Sequence, residues 1–530
     1  MKKNLVFVIK ATQDFVRYVP EEIEKNYVLL NKLCDSISTI YIPLLNMLEE
    51  LENKNVSFRI GLVLPPVLCA LLDNDIIKEY YVNSLNDRIA LGEKEVERLA
   101  SEPDVLENAK SILINYKKLL FDYTEKYNRN LIKKFAAYNK KGSIELLACA
   151  GTDFYVPHYA DMPEIISAQV ETGLLSYRRY FGENPEGFWL TDCGYAKGVD
   201  RILKSYGFSY TILNYRSFLL ADNIPSGGIF APVRTPGILA AFSSYTYFDE
   251  MLYGENGYSA NPVYKNLNRD IGFDSELENL EPVCKEGYSR INTGYHYNNK
   301  NFRDDKHDIY NFDCACEQVK ADAESFLKVQ SETLSKAGEL LADKDFVYSL
   351  CTIDAEKISQ EWAEFIDWLK TVIENASSYD LNVTSCNTMT DAVFKFEKFE
   401  PFCASAAGDG YGENLLSSKN SWMMRYIRKA CERIVDLSNR FLTDTGLKTR
   451  LLNMGAKELM LAQSTGLAKM IDNGEFEEYA EKRFKDSIIN FTTVFDSLGS
   501  NVVSTEWLTT LEVKDNLFPW MNYKIFSKKV

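Results

Sequence analysis

The sequence predicts an α/β fold: a parallel β/α barrel carrying a helical insertion and followed by a helical C-terminal region. Three observations carry that expectation. Short apolar, β-branched runs alternate with amphipathic helical stretches over the first three-quarters of the 530 residues, which is the pattern of a parallel sheet with crossover helices. Six such runs occur, and six or more strand–helix units favour a closed barrel over an open sheet. Beyond Asn414 the periodicity turns helical and the strand runs stop.

The first run is Leu5–Ile9, behind Met1, Lys2 and Lys3. It imitates a secretory leader, but Lys10 interrupts it before the roughly 7–15 apolar residues such a leader needs, and no small-residue cleavage site follows. It reads as a buried strand. Ser57–Val63, Ile144–Cys149, Gly187–Leu190, Ser209–Asn214 and Val347–Ile353 read the same way, with Ala196–Tyr206 as a helix between two of them. Residues 64–141 are helical in pattern, rich in Lys and Glu as in Glu93–Arg98, and form an insertion between two barrel strands. Residues 245–313 are rich in Tyr, Asn and Gly without periodicity; a loop that long inside a compact domain is usually functional or a lid. Pro401–Gly412 is a small-residue loop with three glycines, after which Ser421–Phe441 and Thr449–Ala462 read as helices. The aromatic stretch Trp507–Phe526 is expected to pack back onto the body. The expected domains are residues 1–400, the barrel, and residues 401–530, mainly helical.

Composition narrows the function. With 46% hydrophobic residues the chain can build a core. Its 76 acidic against 60 basic side chains give a net charge of −16, and no Lys/Arg block offsets it, so nucleic acid is not an expected partner. No apolar run approaches the roughly 18–20 residues of a membrane span. Eleven scattered cysteines fit reduced thiols and a cytoplasmic protein. Three dispersed histidines, His158, His296 and His307, are too few for a histidine-built metal site; neither metal nor cofactor is expected. Cys314 and Cys316 lack a second pair at ligand spacing. Gly408–Gly412 reads as a rim loop rather than a phosphate cradle, since no strand leads into it.

Barrel chemistry sits at the C-terminal ends of strands. Asp192 follows the run Gly187–Leu190, and Asp354 ends the run Val347–Ile353. Two carboxyls brought together there, among aromatics, are what glycoside hydrolysis requires: one attacks or stabilises the anomeric carbon, the other protonates the leaving oxygen. The alternative role for either aspartate is a helix N-cap or Asx turn. Cys193, beside Asp192, has no histidine near it in sequence to activate it and reads as a structural thiol. Trp189 and Trp362 are candidates for sugar stacking or for core packing.

Six ordered blocks now carry a resemblance. Phe7–Arg17, Glu145–Asp153, Gly187–Tyr195, Tyr264–Asp274, Ile353–Leu369 and Arg450–Gln463 are similar, in order and nearly end to end, to glycoside hydrolase family 57, particularly its 1,4-α-glucan branching-enzyme and amylase-like members. The resemblance implies a distorted (β/α)7 TIM-like barrel, an α-glucan or other carbohydrate as partner, and retaining double displacement by a Glu nucleophile and an Asp acid/base. Carried onto this sequence, Asp354 stands at the acid/base position with Glu356 beside it, and Asp192 stands where the nucleophile should be Glu, after Thr191 instead of Pro. Trp189, Arg269, Gly287, Glu356 and Trp362 are the implied substrate-contacting positions.

The departures from the family pattern are equally specific. Lys10 and Thr12 replace the His-x-His motif, Asp153 replaces a histidine, and Gln360 stands in a segment that keeps only its last aromatic, Trp362. Ala406 and Ala407 stand where a stacking Trp belongs, and Gly466-Leu467 replaces an Asp-Trp pair. Lys10 and Asp153 are expected to pair on the pocket floor. Shortening Glu to Asp withdraws the carboxylate by roughly 1.5 Å, and a misplacement near 1 Å costs on the order of 10²-fold. The expectation is therefore a family 57-like protein of α-glucan metabolism with weak or lost catalysis. The alternative is a silent pseudoenzyme that binds glucan or a partner enzyme.

Overall fold

The structure, a computed structural model, describes residues 1–301, 309–500 and 502–528; His307 and a short part of the long loop lie outside the described residues. Among the described residues ten strands form one sheet system: β1 (Lys2–Lys10), β2 (Ile60–Val63), β3 (Ile144–Cys149), β4 (Gly187–Trp189), β5 (Tyr210–Leu213), β6 (Val233–Arg234), β7 (Ala240–Ser243), β8 (Phe346–Asp354), β9 (Asn382–Thr384) and β10 (Glu397–Lys398). All six expected strands are present. The other four are short, and β7, with the sequence Ala-Ala-Phe-Ser, lacks the β-branched signal.

Parallel ladders run β8–β1–β2–β3–β4–β5–β7. Among the described residues there is no ladder between β7 and β8. The ring is joined there by Tyr245 N–H on the Leu350 carbonyl (2.7 Å), Tyr348 N–H on the Phe230 carbonyl (3.0 Å) and Ser243 N–H on the Tyr348 hydroxyl (2.7 Å). The outcome is a seven-stranded, distorted TIM-like barrel with β6 antiparallel to β7 at that joint.

Period-two alternation divides each strand between two cores. Val6, Val8, Leu147, Tyr210, Ile212, Phe242, Tyr348 and Leu350 point inward and form one buried cluster, closed by Cys386 and Met389. Leu5, Phe7 and Ile9 face outward into the core shared with the helices. The same alternation puts Lys10, at the end of β1, and Asp354, at the end of β8, on the inner face.

Residues 64–141 form the expected helical insertion, with helices Pro66–Asp73, Asp75–Arg98, Pro103–Phe121 and Leu131–Lys141. The helical stretch Tyr27–Asn53 corrects one expectation: by length and composition it is apolar enough to cross a membrane. Its apolar side, with Leu30, Leu33, Ile40, Leu44 and Leu48, is buried in the outer core. The long loop is not loose. Asp270 accepts N–H groups from Gly272, Thr293 and Gly294 as well as the Thr293 hydroxyl. Tyrosine hydroxyls lace the loop to the insertion: Tyr116 donates to the Thr293 carbonyl, Tyr295 to that of Arg88, and Tyr297 to Glu95. A loop short of apolar residues holds its place by these bonds, which accounts for its Tyr- and Asn-rich composition.

Toward the C-terminus, helices Trp422–Arg440, Leu447–Ala462, Thr465–Asn473, Glu477–Ser500 and Thr505–Lys514 pack together. The aromatic tail returns to them as expected: Tyr523 and Phe526 are buried, and Ser438 donates to the Tyr523 carbonyl. Asp515, held by Arg17 and Arg483, ties the segment after β1 to these helices.

Candidate active site

Four inward or mouth-facing acids gather at the C-terminal end of the barrel. Asp354 closes β8 and caps the helix Ala355–Glu361, its Oδ1 accepting the Lys357 N–H at 2.9 Å. It is thus an N-cap and a mouth carboxylate at once, with Oδ2 3.7 Å from the Lys10 Nζ. Glu356, two residues on in the first turn of that helix, accepts the Thr12 N–H at Oε2 (2.6 Å) and the Tyr41 hydroxyl at Oε1 (2.9 Å). Burial, with the Asp354 charge nearby, pushes its pKa up to about 8.

Asp192 lies on the turn after β4 in the left-handed region (φ 50°, ψ 29°), followed by Cys193 at φ 50°. Two consecutive non-glycine residues there store strain. The turn is held by Cys193 N–H on Leu190, Gly194 N–H on Thr191, and Ala406 N–H on the Asp192 carbonyl at 2.6 Å. That last bond fastens the Pro401–Gly412 loop across the site. The Tyr155 hydroxyl on Ser405 fastens it a second time. The amides that a phosphate cradle would offer are already taken, since Glu413 accepts from Asp409 and Tyr411.

The Asp192 carboxylate pairs with a residue that sequence reasoning did not find. Lys469, from the helix Thr465–Asn473, places Nζ 3.0 Å from Asp192 Oδ2 and 3.8 Å from Asp153 Oδ2. The expected Lys10–Asp153 pair is therefore corrected. Asp153 accepts hydroxyls from Thr191 (3.1 Å) and Thr465 and shares Lys469, while the Lys10 ammonium sits on Asp354. Asp153 still acts on Lys10 through space. Burial opposes the Lys10 charge, but Asp153, Asp354, Asp192 and Glu356 together hold its pKa above the ordinary value. For Asp153, burial is overcome by Lys469 and Lys10, which keep it below the usual carboxylate range. Asp14 also joins the group: it accepts from Ser464 at 2.5 Å, burial lifts its pKa to about 6, and a side chain on Gly466 would collide with it.

A cleft of about 1290 Å3 opens beside these residues, bordered by Thr12, Asp354, Glu356, Gln360, Trp362 and Lys469. The remaining expected contacts are dispersed. Trp189 is buried in the barrel interior, and Trp362, 1% exposed, packs among Tyr258, Tyr264 and Trp368. Arg269 is paired with Asp274, and Gly287 sits in an exposed turn at φ 84°; neither borders the cleft. Burial pushes the Cys193 thiol far up, so it stays protonated. His158 is pushed down to about 4 by burial. Among the described residues no three His, Cys, Asp or Glu side chains are grouped to hold a metal.

Against this geometry the family comparison is decisive. The model described as glycosyl hydrolase family 57 matches residues 6–400, and that described as 1,4-alpha-glucan branching enzyme, C-terminal, matches residues 426–526. The chain belongs to glycosyl hydrolase family 57. A family 57 relative, the 1,4-alpha-glucan branching enzyme of Thermococcus kodakarensis, is 23% identical over 515 residues, covering 91% of this chain and 73% of its own. The alpha-amylase AmyC of Thermotoga maritima superposes with a TM-score of 0.91 at 28% identity, covering all of both chains. A family 57 branching enzyme from Pyrococcus horikoshii does so with a TM-score of 0.87 at 21% identity, over 100% of this chain and 98% of that one. Family 57 membership and these superpositions agree with the barrel and the helical C-terminal region described above.

Proposed function

We propose that this chain is a cytoplasmic α-glucan-binding member of family 57 in which retaining transglycosylation or hydrolysis is weak or lost. The named relatives, branching enzymes and an amylase, support the ligand class. The reading divides the chain into a barrel of residues 1–400 and a helical domain of residues 401–530.

One observation carries the catalytic part: both acids at the reacting positions are ion-paired, Asp192 with Lys469 at 3.0 Å and Asp354 with Lys10 at 3.7 Å. A retaining nucleophile must face the anomeric carbon, with its partner carboxyl about 5–5.5 Å away. Here the attacking acid is one methylene short and its charge is taken up by an ammonium.

Amylose incubation, followed by iodine staining and by reducing ends, tests this. The native chain is expected to bind amylose with turnover near the blank, and Asp192→Glu alone to restore little. Native turnover that disappears in Asp354→Asn would overturn the proposal.

A further inference from the structure

At the end of the barrel away from the mouth, the inner core is closed by a short segment of chain. β9 pairs with β1 over three residues, and the turn that follows, Cys386–Met389, sets Cys386 and Met389 against the inward side chains. Asn4 of β1 ties this plug at both ends, accepting from the Asn382 amide at 2.9 Å and donating to the Met389 sulfur at 3.2 Å.

One acid is buried against the plug. Glu145 lies on the inner face of β3, two residues before Leu147, and is 3% exposed. Its Oε2 accepts the Asn387 N–H at 3.3 Å and its Oε1 the Tyr210 hydroxyl at 2.6 Å. Gly187 leaves room for that hydroxyl, since a side chain there would overlap the Tyr210 ring. Arg59 is the cation on this side, yet its buried Nε has no hydrogen-bond partner, and among the described residues Glu145 has no ion pair.

The carboxyl therefore joins plug to strand with no countercharge in contact, and such a group is favoured neutral. Burial pushes its pKa up to about 7. The other titratable groups within reach are Tyr210 from β5, Tyr177 from the helix Pro163–Phe181 and Cys386 from the plug. Burial holds all three above their ordinary values, so they stay neutral.

We propose that Glu145 is a proton-dependent latch on the barrel floor: protonated, it keeps residues 382–389 closed, and its ionisation favours their release. The closed floor holds the proton more tightly than an open one in which the carboxyl meets water. Opening becomes easier as pH rises from the ordinary carboxylate value to about 7, and levels off above it. The latch needs no ligand and stands apart from the α-glucan reading.

Hydrogen exchange of residues 382–389 in the full chain, from about pH 5 to about pH 8, tests it beside Glu145→Gln. The glutamine keeps an acceptor for Asn387 and offers an N–H to Tyr210, so it copies the protonated acid. The ratio of native to variant exchange rates cancels the intrinsic effect of pH on amides. It is expected to climb about tenfold per pH unit up to about pH 7 and then to flatten. The same climb is expected within the native chain when residues 382–389 are referred to the helix Trp422–Arg440, a comparison that needs no variant. Ratios constant with pH, or a climb shared equally by β3 and β8, overturn the latch.

Discussion

Lys10 and Asp354 are register partners at the ends of β1 and β8, and their charged groups meet at 3.7 Å inside the barrel mouth. The pairing follows from strand parity: two residues inward from Val8 and two strand steps from Leu350 the next inner-face positions are Lys10 and, past Thr352, Asp354. A lysine in that register can reach the acid without any help from a loop. The opposite side is different, because Asp192 receives its cation from a distant helix.

Lys469→Met tests that second pairing. Removing one partner of a fully buried ion pair costs about 3–5 kcal/mol. Lys469 is 30% exposed and Lys10 remains, so the expected loss is about 2 kcal/mol at pH 7, read by urea unfolding. The pKa of Asp153 is lowered in the fold, so its contribution is present above the unfolded value and lost as pH falls through the folded one; the gap between native and variant should close below about pH 4. A variant as stable as the native chain at pH 7 would show that Lys469 does not hold these acids.

Glu356→Gln should change the pH dependence of stability. The folded pKa of Glu356 is raised to about 8, so the folded chain binds more protons than the unfolded chain from the ordinary carboxylate range up to that value. Stability therefore falls as pH rises across that window and levels off above it. The variant lacks the titration. Relative to the native chain, it should gain on the order of a few kcal/mol between pH 5 and pH 8, measured by denaturant titration at each pH; parallel curves would refute the assignment.

Asp270→Ala should loosen the long loop. Three backbone N–H groups and a hydroxyl lose their shared acceptor, at about 1–3 kcal/mol for each buried group left unmade. Hydrogen exchange in residues 271–297 is expected to accelerate while β1 and β3 stay protected. Uniform acceleration everywhere would point instead to global unfolding.

Phe242→Ala empties part of the inner core, where Phe242 packs edge-on against both Tyr210 and Tyr348. The expected loss is about 3–5 kcal/mol, against less than about 0.5 kcal/mol for the exposed Ile489→Ala, both by thermal unfolding.

Much of the fold is legible because long barrel strands leave apolar runs: β3 and β8 are readable at nearly their full lengths, and β1 through the five residues Leu5–Ile9 of its nine. β6, β9 and β10, two or three residues each, leave no periodicity to read. At the site, Asp192 and Asp354 are visible as strand-end positions, and Lys10 and Asp153 through the family resemblance, where they replace histidines. Their partners are not. Lys469 is an ordinary cation on an amphipathic helix, and only tertiary packing carries it nearly three hundred residues back to Asp192. Asp14 and Thr465 were missed for the same reason, and the Lys10–Asp153 pairing failed because a third charge, absent from local sequence, reached Asp153 first.

The joint between β7 and β8 gives the ring a direction of give. Six seams carry in-register parallel pairing, β3–β4 over only two residue pairs, while this one has single hydrogen bonds and no register pairing among the described residues, and Asp354 stands beside it. Slack there would shift one acid of the mouth relative to the other without unpicking the rest of the hoop, so the span between Asp192 and Asp354 is governed by the least sewn edge of the barrel.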